Sequence, residues 1–306
     1  MSVVIFGSIN MDLAIATPRL PLPGETITGS NFVTAPGGKG ANQAVAAARL
    51  GVTTHIVGRV GRDSFGEKLL ASLASAEVET EGVLRSDRSS SGIAVIAVGS
   101  GGENSIIVVP GANGEIDRRD SDRLKHCLPG KTALLLQLEI PLEAVITAAK
   151  TAKEMGVKVI LDPAPFREDI PKDFYQLIDI ITPNEIEASQ LVGCSVNNQE
   201  TATKAALELR RRGVDIAIVK LGDRGVICAA ENETFFVPAF CVEAVDTVAA
   251  GDAFNGGLAA GLDRGLSLKE AVKWGAAAGA LCATKFGAQN AMPDKKTFED
   301  FLGKFN

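Results

Sequence analysis

The strongest chemical signal in the chain is the run Asp246-Thr-Val-Ala-Ala-Gly-Asp-Ala-Phe-Asn-Gly-Gly. Ala249, Ala250 and Gly251 let the backbone turn closely, and a helix is expected from about Asp252. Backbone N–H groups at a helix start, reinforced by the helix dipole, form an anion site suited to charge developing on a phosphoryl group. An acid at the same spot has two readings. Asp252 either caps the helix, or it accepts the proton of a hydroxyl that attacks phosphorus.

A second run, Pro36-Gly-Gly-Lys-Gly-Ala-Asn-Gln-Ala, resembles a phosphate loop only superficially. A Walker A loop needs Ser or Thr after its lysine, and here Lys39 is followed by Gly40, so the P-loop kinases are excluded. Gly37 and Gly38 permit close backbone approach, and Asn42 offers both an acceptor and donors to hydroxyl groups. With Asn10 and Asp12, expected at the carboxyl end of the first strand, this makes a cluster suited to a polyol. The alternative is a glycine-rich turn that merely opens a helix. Glu139 ends an apolar strand, where an acid is costly unless paired or solvated, so it joins the candidate site. Lys39 reads as a loop cation without a catalytic role.

The elements that position these residues follow from the hydrophobic pattern. Val3–Phe6, His55–Val57, Ala133–Leu138, Val157–Leu161, Asp179–Thr182 and Ile216–Val219 read as strands. They alternate with helical periodicity at Gly40–Leu50, Phe65–Ser75, Pro141–Glu154, from about Glu185, and at Thr201–Arg212. Strands separated by helices pair in parallel with helices on both faces, and such strands are continuously apolar because both faces are buried. Two stretches break the pattern. Segments 13–35 and 91–110 read as antiparallel β structure outside the parallel core, with too few strands to stand alone. A small second sheet covering a site, a partner, or both is expected.

Composition narrows the class. The 306 residues carry 31 Lys plus Arg against 37 Asp plus Glu, so no basic surface offsets the net charge of −6 and nucleic acid is a poor partner. Five scattered cysteines without a C-x-x-C pair read as buried thiols in a reducing compartment, not as a disulfide framework or zinc site. No apolar run approaches the roughly 18 residues of a membrane-spanning helix. The amino terminus reads as a strand with no cationic leader, and a cytoplasmic protein is expected.

Taken together, Gly7-Ser-Ile-Asn-Met-Asp, Gly37-Gly-Lys-Gly-Ala-Asn-Gln, Gly58-Arg-Val-Gly-Arg-Asp-x-x-Gly, Val109-Pro-Gly-Ala-Asn, Gln137-Leu-Glu, Thr182-Pro-Asn-Glu, Lys220-Leu-Gly-Asp-Arg-Gly and Asp246-Thr-Val-Ala-Ala-Gly-Asp resemble the ribokinases and, more broadly, the phosphofructokinase-B-type sugar kinases. The motifs run in family order from residue 7 to about residue 293. The resemblance implies a three-layer α/β/α fold with a central, mostly parallel sheet and a small antiparallel β lid, which in ribokinases also forms a homodimer. It implies a phosphotransferase with an alcohol acceptor, moving the γ-phosphoryl group of ATP to the 5-hydroxyl of D-ribose. Another small-sugar or nucleoside kinase is the alternative within the family, and a non-catalytic sugar or nucleotide sensor the alternative outside it.

Site residues carry over position by position. Asn10, Asp12, Gly38, Lys39, Gly40, Ala41, Asn42 and Glu139 would bind the sugar. Asp252 would be the base, with Ala249, Ala250 and Gly251 as the anion hole. Asn184 and Glu187 would organise the phosphates and Mg²⁺, largely through water, while Lys220, Leu221, Gly222, Asp223, Arg224 and Gly225 would lie along the nucleotide. A monovalent cation, K⁺ by resemblance, would be held by Asp246, the carbonyl of Val248, and carbonyls around Cys282, Lys285, Gly287 and Ala291. Asn290-Ala291 stands where Pro-Ser is common in the family.

Overall fold

The structure, a computed structural model, describes residues 2–101 and 103–305. The chain runs β1 (Ser2–Phe6), β2 (Asn10–Thr17), β3 (Asn31–Gly37), α1 (Lys39–Arg49), β4 (Thr53–Gly61), α2 (Ser64–Ser75), β5 (Val78–Ser86), β6 (Gly92–Gly99), β7 (Asn104–Val109), α3 (Arg118–Cys127), β8 (Ala133–Leu136) and α4 (Leu142–Glu154). It continues through β9 (Lys158–Leu161), β10 (Ile180–Ile181), α5 (Glu185–Val192), α6 (Gln199–Arg211), β11 (Ile216–Lys220), β12 (Val226–Ala229), β13 (Thr234–Val237), α7 (Ala250–Asp263), α8 (Leu268–Cys282) and α9 (Lys295–Leu302).

Among the described residues, nine strands form one sheet in the order β13-β12-β11-β10-β9-β8-β1-β4-β5. The pairings from β11 to β5 are parallel, and β12 and β13 add an antiparallel edge. Alternate residues of each strand feed separate cores. Val3, Ile5, Ala133 and Leu135 join the layer of α1, α2, α7, α8 and α9. Val4, Phe6, Leu134 and Leu136 join the layer of α3, α4, α5 and α6. Each fully buried aliphatic side chain contributes about 1.5–3 kcal/mol, which is why these strands carry no polar alternation. Among the described residues no helix is long and apolar enough to cross a membrane.

Strand order reverses at β1: from there the chain moves to β4 and β5 on one side and, later, to β8 and beyond on the other. The carboxyl ends of strands beside such a reversal open a crevice that no connection fills. Asn10, Glu139, Asp162, Asn184 and Lys220 all follow or end parallel strands on the carboxyl edge of this sheet, from β1 across to β11.

The second sheet has the order β3-β2-β6-β7. Each expected hairpin is antiparallel, and the two are joined by a parallel β2–β6 pairing from Asn10↔Gly92 to Thr17↔Gly99. The first lid segment is wider than 13–35, running from Asn10 to Gly37. Asn10 and Asp12 accordingly sit on the first lid strand, not at the end of the first core strand, because β1 stops at Phe6 and Gly7–Ile9 turn the chain.

Candidate active site

α1 begins against the β1–β2 turn. Gly38, with φ +87, occupies its N-cap position, and a Cβ there would stand 2.7 Å from the Asn10 nitrogen. Positive φ and this approach together demand glycine. Gly37 leaves room for another reason: a Cβ on it would collide with the Asp12 carboxylate. The Pro36–Ala44 run is therefore a device for bringing lid strand β2 and the first turn of α1 into contact.

Asn42, on that first turn, donates from Nδ2 to Oδ2 of Asp252 at 3.0 Å. Asp252 is 4% exposed, in the first turn of α7, whose N-cap Ala249 has φ +59. Burial pushes its carboxyl above the usual range, with Asp162 adding to the rise and Lys39, Asn42 and Gln43 opposing it. Glu139 accepts from Ser8 Oγ at 2.5 Å and from the Lys39 N–H at 3.2 Å, tying the β8 end to both walls. Asp12 faces Glu139 and Asp252, and burial first, then these two charges, lift its carboxyl to about 7. Asn10 is held through Oδ1 by Asn113 Nδ2 at 2.7 Å. Asp12, Asn42, Glu139 and Asp252 thus stand together, and Asn10 lies beside Gly38 at the start of α1. Gly40 and Ala41 contribute differently: both are buried, and their N–H groups bond Ser8 Oγ and the Ser8 carbonyl, so they support the turn.

Asp252 also borders a cavity of about 700 Å³. Its polar end is lined by Lys39, Asp162, Asn184, Glu187, Lys220 and Thr247, and its other end is apolar, with Val226, Phe240, Val242, Ala276 and Ala280. From α8 and the residue that follows it the cavity is lined by Ala276, Gly279, Ala280 and Ala283, so that helix offers it no polar side chain. Lys220, at the end of β11, pairs with Asp162 at 3.3 Å and lies 5.8 Å from the Phe254 ring centroid. Lys39 is half-buried; although burial opposes its charge, Asp252, Asp162, Glu139 and Glu187 together hold its ammonium more firmly protonated than usual. This overturns its reading as a solvated loop cation and brings the glycine-rich run to the polar end of the cavity after all.

Glu187 and Asn184 form a reciprocal capping box on α5, with Asn184 N–H donating to Glu187 Oε2 at 2.8 Å and Glu187 N–H to Asn184 Oδ1 at 2.8 Å. Burial, then Asp162, raises the Glu187 carboxyl while Lys220 and the Asn184 N–H oppose this. Of the Lys220–Gly225 run, Lys220, Gly222, Asp223 and Gly225 line the cavity, but Leu221 is 1% exposed in the core and Arg224 turns away to Glu185 and the Asn197 carbonyl. In the expected anion hole the Ala250 N–H is already directed at the Thr247 carbonyl at 3.2 Å. The N–H groups of Gly251 and Asp252 belong to the first helical turn, which has no intrahelical acceptors.

Asp246 accepts from the Val248 N–H at 3.0 Å and the Gly287 N–H at 2.9 Å, which brings together three positions of the expected cation site. Cys282 lies beneath, its thiol 3.8 Å from the Val248 carbonyl and pushed up to about 12 by burial and nearby acids, while its own carbonyl accepts from Lys285 N–H at 3.2 Å. Among the described residues no group of three or more His, Cys, Asp and Glu surrounds one metal position. The cysteine expectation needs correction: Cys228 and Cys282 are buried, but Cys194 and Cys241 are exposed, and Cys241 lines the cavity.

Sequence reasoning missed Ser8, Gln43, Asn113, Gln137 and Asp162. Each is polar and at most 3% exposed, and a buried polar side chain at a strand end or helix start was the available signal.

Residues 1–295 match the pfkB family of carbohydrate kinases. The chain is 40% identical over 301 residues to the ribokinase of Haemophilus influenzae, with 98% of each chain covered. It is 34% identical over 302 residues to a deoxyribokinase of Salmonella typhi, with 99% of each covered. Superposed on the ribokinase of Arabidopsis thaliana solved with ribose and ATP, it gives a TM-score of 0.90 at 35% identity over 98% of each chain. With the sheet, the lid and the two-sided crevice already described, the chain belongs to the pfkB carbohydrate kinases, phosphotransferases whose acceptor is a sugar hydroxyl.

Proposed function

We propose that the chain transfers the γ-phosphoryl group of ATP to the 5-hydroxyl of D-ribose, with Asp252 as the base. The observation that carries this reading is the double placement of Asp252: it borders the cavity and also accepts from Asn42 on the lid side. Oδ1 of Asn42 is buried without a partner. Such an atom costs about 1–3 kcal/mol until a donor reaches it, and a sugar hydroxyl is a suitable donor. Asn10 keeps its amide hydrogens for a sugar oxygen while Asn113 holds its carbonyl, and Asp12 and Glu139 accept from further hydroxyls.

Asp252 removes the hydroxyl proton as the new O–P bond forms and the bond from the γ-phosphorus to its bridging oxygen breaks, so that ADP leaves. The Gly251 and Asp252 N–H groups and the cations of Lys39 and Lys220 meet the charge on the moving phosphoryl group. The apolar slot beside Phe240 takes the base. Glu187 and Asn184 offer hard oxygen donors that would hold Mg²⁺, which would offset phosphate charge. Asp246 with neighbouring carbonyls suits a monovalent cation such as K⁺ beside the first turn of α7, by its oxygen donors. Among the described residues Phe32, Ile106 and Ile107 are more than half exposed on the lid, and an open, apolar lid edge supports pairing with a second copy.

An ADP-release assay across ribose, deoxyribose, other pentoses, hexoses and nucleosides tests this. Ribose should give the highest kcat/KM. Preference for deoxyribose would move the assignment to that neighbouring activity, and no sugar-dependent release would overturn it.

A further inference from the structure

Gln43 follows Asn42 on the first turn of α1 and is 1% exposed. Its Nε2 donates to two carboxylates at once, Asp252 Oδ1 at 3.1 Å and Asp162 Oδ2 at 3.0 Å. Its Oε1 accepts from Nε2 of Gln137 at 2.7 Å, and Gln137 is fully buried just past β8. These bonds fix the direction of both amides. An ionised carboxylate only accepts, so Gln43 must aim its N–H groups at the acids and its oxygen at Gln137. Turning Gln137 over would set two carbonyl oxygens face to face. Gly7 makes room for the arrangement, since a Cβ on it would collide with Gln137 Oε1.

We propose that Gln43 is a positioning residue for the phosphoryl transfer: with one N–H to each, it ties the carboxylates of Asp252 and Asp162 in place and offsets their repulsion, and Gln137 anchors its amide oxygen. The proposal rests on Asp252 being the base. Asp162 is already committed to Lys220 at 3.3 Å on the nucleotide side. Gln43 therefore joins the base to the residue that orients Lys220, so proton removal and phosphate binding share one rigid element. Without its donors one interaction that favours the ionised form of Asp252 is lost, and a protonated Asp252 cannot act as a base.

The charged and titratable groups facing Asp252 are Lys39 from α1, Asp162 after β9, Asp12 from lid strand β2 and Cys282 from α8. Lys220 also approaches, 3.3 Å from where a Cβ on Gly251 would stand. Removing the Gln43 donors leaves all of these in place and takes away one interaction that favours the ionised base. The acid limb of the kcat profile must then move to higher pH.

The test compares kcat against pH for the wild-type chain, Gln43→Leu and Gln137→Leu, with KM for ribose and for ATP. Losing one hydrogen bond to a carboxylate should move the acid limb of Gln43→Leu upward by about one pH unit. Its kcat should recover toward the wild-type value above the limb, with both KM values little changed. Gln137→Leu, which leaves Gln43 present but without the bond that anchors its amide oxygen, should shift the limb the same way by less, and it carries the test alone when Gln43→Leu does not fold. A loss of kcat equal at every pH, with the limb unmoved, overturns the positioning role while the wild-type activity leaves the kinase reading intact. A wild-type chain without sugar-dependent ADP release, or an Asp252→Asn chain that keeps full turnover, overturns the reading beneath it instead.

Discussion

Asp252→Asn separates catalysis from folding more cleanly than other single changes in this site. The substitution keeps the shape of the side chain and removes its charge. Asp252 accepts from Asn42 Nδ2 at 3.0 Å and from Gln43 Nε2 at 3.1 Å. An asparagine can keep its oxygen toward Gln43, whose amide direction is fixed by Gln137, but then its NH₂ opposes that of Asn42. The conflict has a simple release, because Oδ1 of Asn42 has no partner. A flip of that amide restores a donor–acceptor pair, and the count of hydrogen bonds is conserved. The folded state also disfavours the ionised acid, since burial raises its carboxyl, so an uncharged side chain removes a cost. Lys39 loses one of four neighbouring carboxylates and keeps Asp162, Glu139 and Glu187.

The melting temperature should therefore stay at or above the wild-type value. Sugar binding should weaken by one neutral hydrogen bond, about 0.5–1.5 kcal/mol, because the flipped Asn42 no longer offers its acceptor. Turnover should fall far more. Loss of a general base costs about 10²- to 10⁴-fold, or about 2.7–5.4 kcal/mol of barrier at 1.36 kcal/mol per decade. Single-turnover ADP formation, calorimetric binding of ribose and ATP, and thermal melting on one preparation check all three. A kcat within tenfold of wild type would refute the base assignment. Intact chemistry with collapsed stability would show that the acid serves the helix terminus.

The remaining expectations use other parts of the molecule. Asp12 is held near pH 7, so the KM for ribose should fall as pH rises from about 6 to 8 and the carboxylate forms; Asp12→Asn should raise KM and flatten that dependence. Because its folded value lies above the unfolded one, its contribution to stability is full at low pH and lost as pH climbs through 7, so Asp12→Asn should gain stability relative to wild type at pH 8, read from melting curves. Gly38→Ala forces a side chain into φ +87 and 2.7 Å from the Asn10 nitrogen, which should cost about 2–4 kcal/mol in urea unfolding and raise the sugar KM; a neutral change would mean that the turn can relax. Sedimentation should find a dimer that Ile107→Glu dissociates, and a monomeric wild-type chain would refute the lid pairing.

The parallel core was legible because burial on both faces makes a strand apolar throughout, and β1, β8 and β9 keep that signature. The missed edge strand β5 lacks it. β5 has the sequence Val-Glu-Thr-Glu-Gly-Val-Leu-Arg-Ser, and as an edge strand it is buried mainly at its two ends. β12 is buried throughout, but it and β13 run antiparallel at the sheet edge, outside the strand–helix alternation that marked the parallel core. Lid strand β2 was placed late by three residues because Asn10 and Asp12 are polar: their side chains are spent on the site, and function there suppresses the alternation that marks a strand.

The same physics explains which site residues could be read. Asp252, Asn42 and the glycines stand in short runs where a backbone conformation and a reactive group are needed within a few positions, so their spacing carries the chemistry. Gln43, Asp162 and Gln137 have no such local requirement. Gln43 meets Asp252 across 209 positions, Asp162 across 119 and Gln137 across 94. Those contacts exist because α1 packs on α7 above the ends of β8 and β9, a property of topology and not of any segment. The residues that move a proton thus carried their role in the sequence, whereas Gln43 and Gln137, though inside the glycine-rich run and the Gln137-Leu-Glu run, showed what they hold only when strand ends far apart in the chain were brought to one crevice.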